Sequence, residues 1–203
     1  MVKDKDQTKR RLIEAVGELL KNEGYKSLGV NRIARQAGVS KKLIYRYFGN
    51  VDHLIEAYVV ENDYWLTFSK SFKQLEAESD TLQVKQFITD LLQNQFKYFL
   101  KEDEMQRLIL WEISGNSELM KSIHRAREAK AQLLLDITEA RFQNKNVNFR
   151  ALAALLVGGI YYTILHANSN GSIFCDIDIH SSEGQNEILK TIERVIDWAS
   201  LET

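Results

Sequence analysis

The chain has 203 residues, 44% of them hydrophobic and 27% charged, with no proline and one cysteine, Cys175. That length accommodates one sizeable domain or two modest ones, the absence of proline favours a chain made mostly of helices, and a lone cysteine excludes an internal disulfide. The charged start (Met-Val-Lys-Asp-Lys-Asp-Gln) holds no apolar signal region, and the longest apolar run, Ala151 to Tyr162, has 12 residues, short of the roughly 20 needed to span a bilayer, so the expected setting is the cytoplasm with no membrane association.

The net charge of −1 conceals an asymmetry. Residues 1–50 hold 12 Lys+Arg and 5 Asp+Glu, a balance of +7; the remaining 153 residues hold 15 and 23, a balance of −8. A basic end on an acidic body is the charge layout of a nucleic-acid-binding module joined to a body that does not bind nucleic acid.

In chain order, the first helix is predicted over about 7–22. Leu12, Ile13, Val16, Leu19 and Leu20 recur at helical spacing, and Gly24 stops it. Two short helices follow, over about 30–37 and 41–47. Asn50 is the expected cap of a longer helix that starts at Val51, has Leu54, Ile55, Tyr58 and Val59 as its inner stripe, and continues through Trp65, Phe68 and Phe72 to about Leu75. Further helices are predicted over about 81–100, 104–113, 117–143 and 148–166. The stretch 168–184 is polar and reads as a loop, with Ile173, Cys175, Ile177 and Ile179 alternating as an extended course does. A last helix over about 182–201 carries Ile188, Leu189, Ile192, Val195, Ile196 and Ala199. The fold class is therefore all-α, with about nine helices.

Residues 30–48 bear most on function. Ile33, Ala34 and Ala37 form a small apolar face on the first of the two short helices. Gly38 is expected in the left-handed region that ends a helix, and Ser40 is placed to cap the next one. In that next helix Ile44 and Phe48, four apart, share a buried stripe, leaving Lys41, Lys42, Tyr45 and Arg46 outward and Tyr47 at the edge. A short helix with cations, phenols and a hydroxyl on its free face suits the major groove of DNA. Arg46 is the first candidate for reading guanine, because its fork can bond O6 and N7 together. Ser40 and Lys41 suit phosphate. Leu43 faces either a thymine methyl or a neighbouring helix. Arg32 and Arg35 stand either on the DNA backbone or in solvent.

Helix 1 ending Gly24-Tyr25, then Ile33-Ala34, Ala37-Gly38-Val39-Ser40, Ile44-Tyr45, Tyr47-Phe48 and Leu54, strongly resemble the DNA-binding domain of the TetR/AcrR family of bacterial transcriptional regulators over about residues 8–58. The resemblance implies a helix–turn–helix DNA-binding domain at residues 1–50. It also implies a regulatory domain at 51–203 that receives a ligand and dimerises, within a nine-helix homodimer. The implied partners are double-stranded palindromic operator DNA, a second copy of the chain and a small-molecule effector. The implied role is that of a repressor released by a mainly apolar ligand. An activator, or a regulator answering to a protein partner, is the alternative, and a helical enzyme or lipid-binding protein a remoter one. Two positions depart from the family pattern. Leu28-Gly29 stand where a Thr or Ser usually caps the second helix, and Val51 stands where a lysine usually meets the DNA backbone.

Aromatic residues are dense between the third helix and the eighth. Trp65, Phe68, Phe99, Trp111 and Tyr162, with the polar Gln95 and His166 beside them, are the candidate ligand-binding set; the same stripes also suit an ordinary core. Gly158 and Gly159, with Ile188, Ile192, Val195 and Ala199 of the last helix, are the candidate dimer interface; intramolecular packing uses the same residue types. Cys175, Asp176, Asp178 and His180 alternate without the tighter spacing of a metal set, so no metal is expected. No nucleophile elbow, phosphate loop, zinc pattern or dinucleotide fingerprint is present. Neither a catalytic site nor a cofactor is expected, and the chain is read as no enzyme.

Overall fold

The computed structural model describes residues 2–68, 80–115, 117–139 and 147–200. Ten α-helices occur among them: α1 (Val2–Glu23), α2 (Val30–Gln36), α3 (Lys42–Phe48), α4 (Val51–Asn62), α5 (Tyr64–Phe68), α6 (Thr81–Lys101), α7 (Asp103–Ser114), α8 (Glu118–Glu139), α9 (Phe149–Asn170) and α10 (Ser182–Ser200). A 3-10 turn over Tyr25–Ser27 joins α1 to α2, and a two-stranded hairpin, β1 (Ile173–Phe174) and β2 (Ile177–Asp178), joins α9 to α10. The all-α reading holds. The ends predicted at Leu75, Gln143 and Leu201 lie outside the described residues, as does Phe72.

The chain forms two compact units. The first comprises residues 1–67 and 103–129, the second residues 68–102 and 130–203. In the first unit α1 packs on α2, α4 and α7, and α3 packs on α4. Leu12, Val16, Leu20, Ile33, Ala34, Ile44, Leu54, Val59 and Leu108 make its core. Burial of apolar side chains draws α7 and the first half of α8 into the same unit as the helix–turn–helix.

The second unit is built on α6, which packs on α9 and α10. A capping box starts α6: Asp80 accepts from the Gln83 backbone N–H, and the Gln83 side chain accepts from the Asp80 N–H. Val84, Ile88, Leu91, Leu92, Phe96 and Phe99 turn inward with Ile160, Ile164, Ile192 and Ile196. Lys85 pairs with Asp197 at 2.8 Å, and the Gln93 amide donates to the Leu189 carbonyl at 3.0 Å, so α10 runs antiparallel to α6.

Four element predictions are corrected. The first helix starts at Val2 rather than near Gln7. The helix expected to run on from Val51 ends at Asn62, because Asp63 is extended (φ −70°, ψ 127°) and its carboxylate starts α5 by accepting from the Leu66 N–H at 3.0 Å. The helix expected to end at His166 continues to Asn170. Gly171 then closes it in the left-handed conformation (φ 97°, ψ 38°), with its N–H bonded to the Ala167 carbonyl. Finally, the loop after it holds a true hairpin with register Ile173↔Asp178 and Phe174↔Ile177. Cys175 and Asp176 both adopt positive φ (51° and 63°), which matches the twist of a two-residue primed turn.

The apolar run of 12 residues lies inside a 22-residue helix, α9, whose length and composition are those of a membrane-crossing segment; only 17% of its most apolar window is buried.

Candidate nucleic-acid interface

Two glycines and a serine shape the recognition element. Gly29 precedes α2 without a side-chain cap, as the sequence indicates. Gly38 takes φ +63° and turns the chain out of α2. The Ser40 hydroxyl accepts from the Lys42 N–H at 3.4 Å, a long bond at the residue after the N-cap Lys41, so Ser40 is a weaker cap than its type suggests. The turn also has a brace that sequence reasoning missed. Arg11 of α1 donates to the Ala37 carbonyl at 2.6 Å and to the Gly38 carbonyl at 3.5 Å, tying the end of α2 to α1. A cation on carbonyls at a helix C-terminus is its only sequence signal, and the pairing spans 26 residues.

α3 presents the predicted face. Ile44 is fully buried and Phe48 half-buried, while Lys41, Lys42, Tyr45 and Arg46 are exposed and Leu43 and Tyr47 are half-buried. The Arg46 guanidinium lies 5.8 Å from the Tyr47 ring centroid, which restricts its rotamers without consuming its donors. Lys9 of α1 lies over the Phe48 ring at 5.9 Å. Asn50 caps α4 by accepting from the His53 N–H at 2.7 Å, and Val51 supplies no cation there. Arg32, expected either on the DNA backbone or in solvent, has its guanidinium paired with Glu23 at the end of α1. Phosphate would have to compete with that carboxylate.

The aromatic candidates separate. Trp65 and Trp111 belong to the first unit, and Trp111 stacks on Tyr25 at 5.0 Å with an interplanar angle of 6°. Phe68, Gln95, Phe99, Tyr162 and His166 belong to the second. There Phe68 tilts against Phe87 at 5.8 Å, and Phe99 against Tyr161 at 4.6 Å. Tyr162 is 58% exposed and joins His166 and Phe174 in a ring cluster on the outside of α9. Gln95 is 1% exposed, and neither its Oε1 nor its Nε2 has a hydrogen-bond partner; the buried Nδ1 of His166 also lacks one.

Of the residues expected at a dimer interface, Gly158 and Gly159 are exposed, with open space where a Cβ would stand. Ile188 and Val195 are half-buried. Ile192 and Ala199 are buried within the second unit, where α10 packs on α6. Asp178 and His180 are engaged at the end of the hairpin and against α9. Asp178 Oδ1 accepts from the His180 N–H at 2.9 Å, and the His180 ring lies 2.7 Å from Asn168 Oδ1.

Residues 12–58 match the model of the bacterial regulatory proteins of the tetR family. These residues therefore carry a DNA-binding domain of that family's type. An HTH-type transcriptional regulator of Haemophilus influenzae is 26% identical over 62% of this chain and 60% of its own length. The matches to curated relatives span 60% and 40% of those proteins. Among solved structures, FadR of Bacillus subtilis, in complex with stearoyl-CoA, shares 17% identity at a TM-score of 0.63 over 90% of this chain and 96% of its own. NalD of Pseudomonas aeruginosa, the secondary repressor of the MexAB-OprM multidrug efflux pump, shares 19% at 0.66 over 98% of each. These likenesses place the TetR fold along the whole chain, α9 and α10 included, well beyond the helix–turn–helix that the sequence pattern covers.

Proposed function

We propose that this protein is a homodimeric TetR-family transcriptional repressor, acting in the cytoplasm, that leaves palindromic operator DNA when a small, mainly apolar effector binds. The carrying observation is the exposed face of α3. Lys41, Lys42 and Arg46 stand in solvent beside Tyr45, on a helix whose opposite side is fixed by Ile44 in the core. DNA contact falls to residues 1–50 and regulation to residues 51–203. Lys41, Lys42 and Ser40 hold phosphate, and Arg46, Tyr45, Leu43 and Tyr47 face the bases.

The effector reading rests on Gln95. A buried carboxamide with both ends unpaired costs about 1–3 kcal/mol for each unsatisfied group, and a ligand with a donor and an acceptor removes that cost. The stearoyl-CoA bound by the Bacillus subtilis neighbour makes long-chain acyl compounds the first class to try. A ligand that prefers the non-DNA conformation lowers operator affinity by the coupling between the sites, typically ~1–3 kcal/mol.

The dimer reading rests on α9, whose Leu155, Gly158, Gly159 and Tyr162 are exposed on a helix too apolar to be left in water. A second copy covering that face is favoured over a bilayer because α9 begins with Arg150 paired to Asp136 and Glu139, and ends in Asn168-Ser169-Asn170.

Duplex DNA selected by the protein from a random pool, then used in a gel shift at fixed salt, tests the proposal. The expected result is a palindromic consensus and a complex dissolved by oleic acid or stearoyl-CoA. Absence of any enriched sequence would remove the DNA-binding reading. A complex indifferent to both compounds would remove the acyl effector class.

A further inference from the structure

We infer that Arg127 of α8 is a positioning residue for DNA binding: its guanidinium clips the end of α4 to α7 and α8 and thereby holds the recognition helix α3 in register. The inference rests on the DNA-binding reading above. Arg127 Nε donates to Asp63 Oδ2 at 2.7 Å, and a terminal nitrogen lies 2.5 Å from the same oxygen. The other terminal nitrogen is paired with Glu112 of α7. Asp63 is 1% exposed and Arg127 7%. The second oxygen of Asp63 is occupied by the Leu66 N–H of α5. One guanidinium thus joins the α4–α5 break, α7 and α8. His124 of α8 lies 3.3 Å from the other side of Glu112.

Three features make this more than local packing. Removing three charges from water is costly, and apolar side chains of the same volume would stabilise such a core at least as well; what the ions add is direction. The clip sits where the sequence pattern would let the helix run straight on, so it coincides with the bend that ends α4. A second tie nearby acts in the same sense, with Tyr58 of α4 donating to Glu104 of α7 at 2.8 Å. On the N-terminal side of the clip, α4 buries Leu54, Ile55, Tyr58 and Val59 and packs directly on α3. The direction of α4 therefore sets that of Arg46 and Lys42.

The test separates positioning from stability. Arg127→Met alone leaves the buried Asp63 carboxylate and the half-buried Glu112 without their shared cation and is expected to unfold the first unit. The neutral triple variant Asp63→Asn/Glu112→Gln/Arg127→Met keeps the volume and the oxygen that accepts from Leu66, so it folds with a thermal midpoint within a few degrees of the parent. Against DNA selected by the parent, its operator-over-random affinity ratio falls at least tenfold at fixed salt. In Arg127→Lys the charge is kept but a single amine cannot fork between two carboxylates; helical content is retained and the ratio falls about threefold. An unchanged ratio in either folded variant overturns the inference and leaves the DNA-binding reading standing. A parent chain that selects no sequence overturns both.

Discussion

Arg46 and Lys42 sit one helical turn apart on the same exposed face, and the proposed DNA contact assigns them different parts of the binding free energy. A forked contact to a guanine specifies; an ammonium on phosphate attracts without reading sequence. Arg46→Ala is therefore expected to lower operator affinity by about 1–3 kcal/mol and to relax the consensus at one position, while circular dichroism stays that of the parent. Lys41→Ala and Lys42→Ala should each weaken binding to all duplexes alike and flatten the slope of log K against log salt by about 1, measurable by titration between two salt concentrations. Asn50→Ala removes the bond from the His53 N–H and is expected to cost ~1 kcal/mol of stability in a denaturant melt. The outward side chains of α3 were legible from sequence because Ile44 and Phe48 set the helix phase. Arg11 and the pairing of Arg32 with Glu23 were not, since both depend on where α1 lies beside α2.

At the scale of elements, periodicity located helices well and their ends less well. α6 and α7 lie within a residue of their predicted bounds, and α10 starts where predicted, because the apolar stripes of these helices are regular. The break at Asp63 escaped notice, since nothing in a helix-compatible run from Val51 to Phe68 marks a carboxylate that is recruited by an arginine 64 positions away. The hairpin shows the complementary case. Alternation of Ile173, Cys175, Ile177 and Ile179 indicated extended chain, but its pairing depends on the positive φ of two non-glycine residues. Gly184 in the first turn of α10 makes that pairing possible, because a Cβ there would collide with the Asp178 carbonyl. Gly184→Ala should accordingly destabilise the protein by about 1–3 kcal/mol, the usual cost of overpacking, despite the higher helix propensity of alanine. A thermal midpoint equal to or above that of the parent would show that β2 yields without cost.

At the scale of the molecule, the open question is what covers α9. Among the described residues nothing lies within 4 Å of a Cβ built on Gly158 or Gly159, so Gly158→Glu starts its side chain in open space. In an isolated chain it is neutral or stabilising, since glycine costs a helix interior about 0.5–1 kcal/mol relative to alanine. In a dimer closed on this face it buries an unpaired charge. Sedimentation velocity at micromolar concentration is expected to show a dimer for the parent and a monomer of unchanged helical content for the variant; a dimer in both would move the interface elsewhere. The amino-acid sequence by itself determined the all-helical class, the helix–turn–helix and its outward face, because these follow from local periodicity, caps and turn glycines acting within a few residues. Tertiary structure alone decided which apolar stripes are spent inside the chain, so that Ile192 and Ala199 belong to the core while Leu155 and Tyr162 do not. It also decided that Asp63, Glu112 and Arg127 meet and that Gln95 is buried without a partner. Residues distant in sequence come together only when helices pack, and a helical pattern records which face is apolar, not what that face will touch.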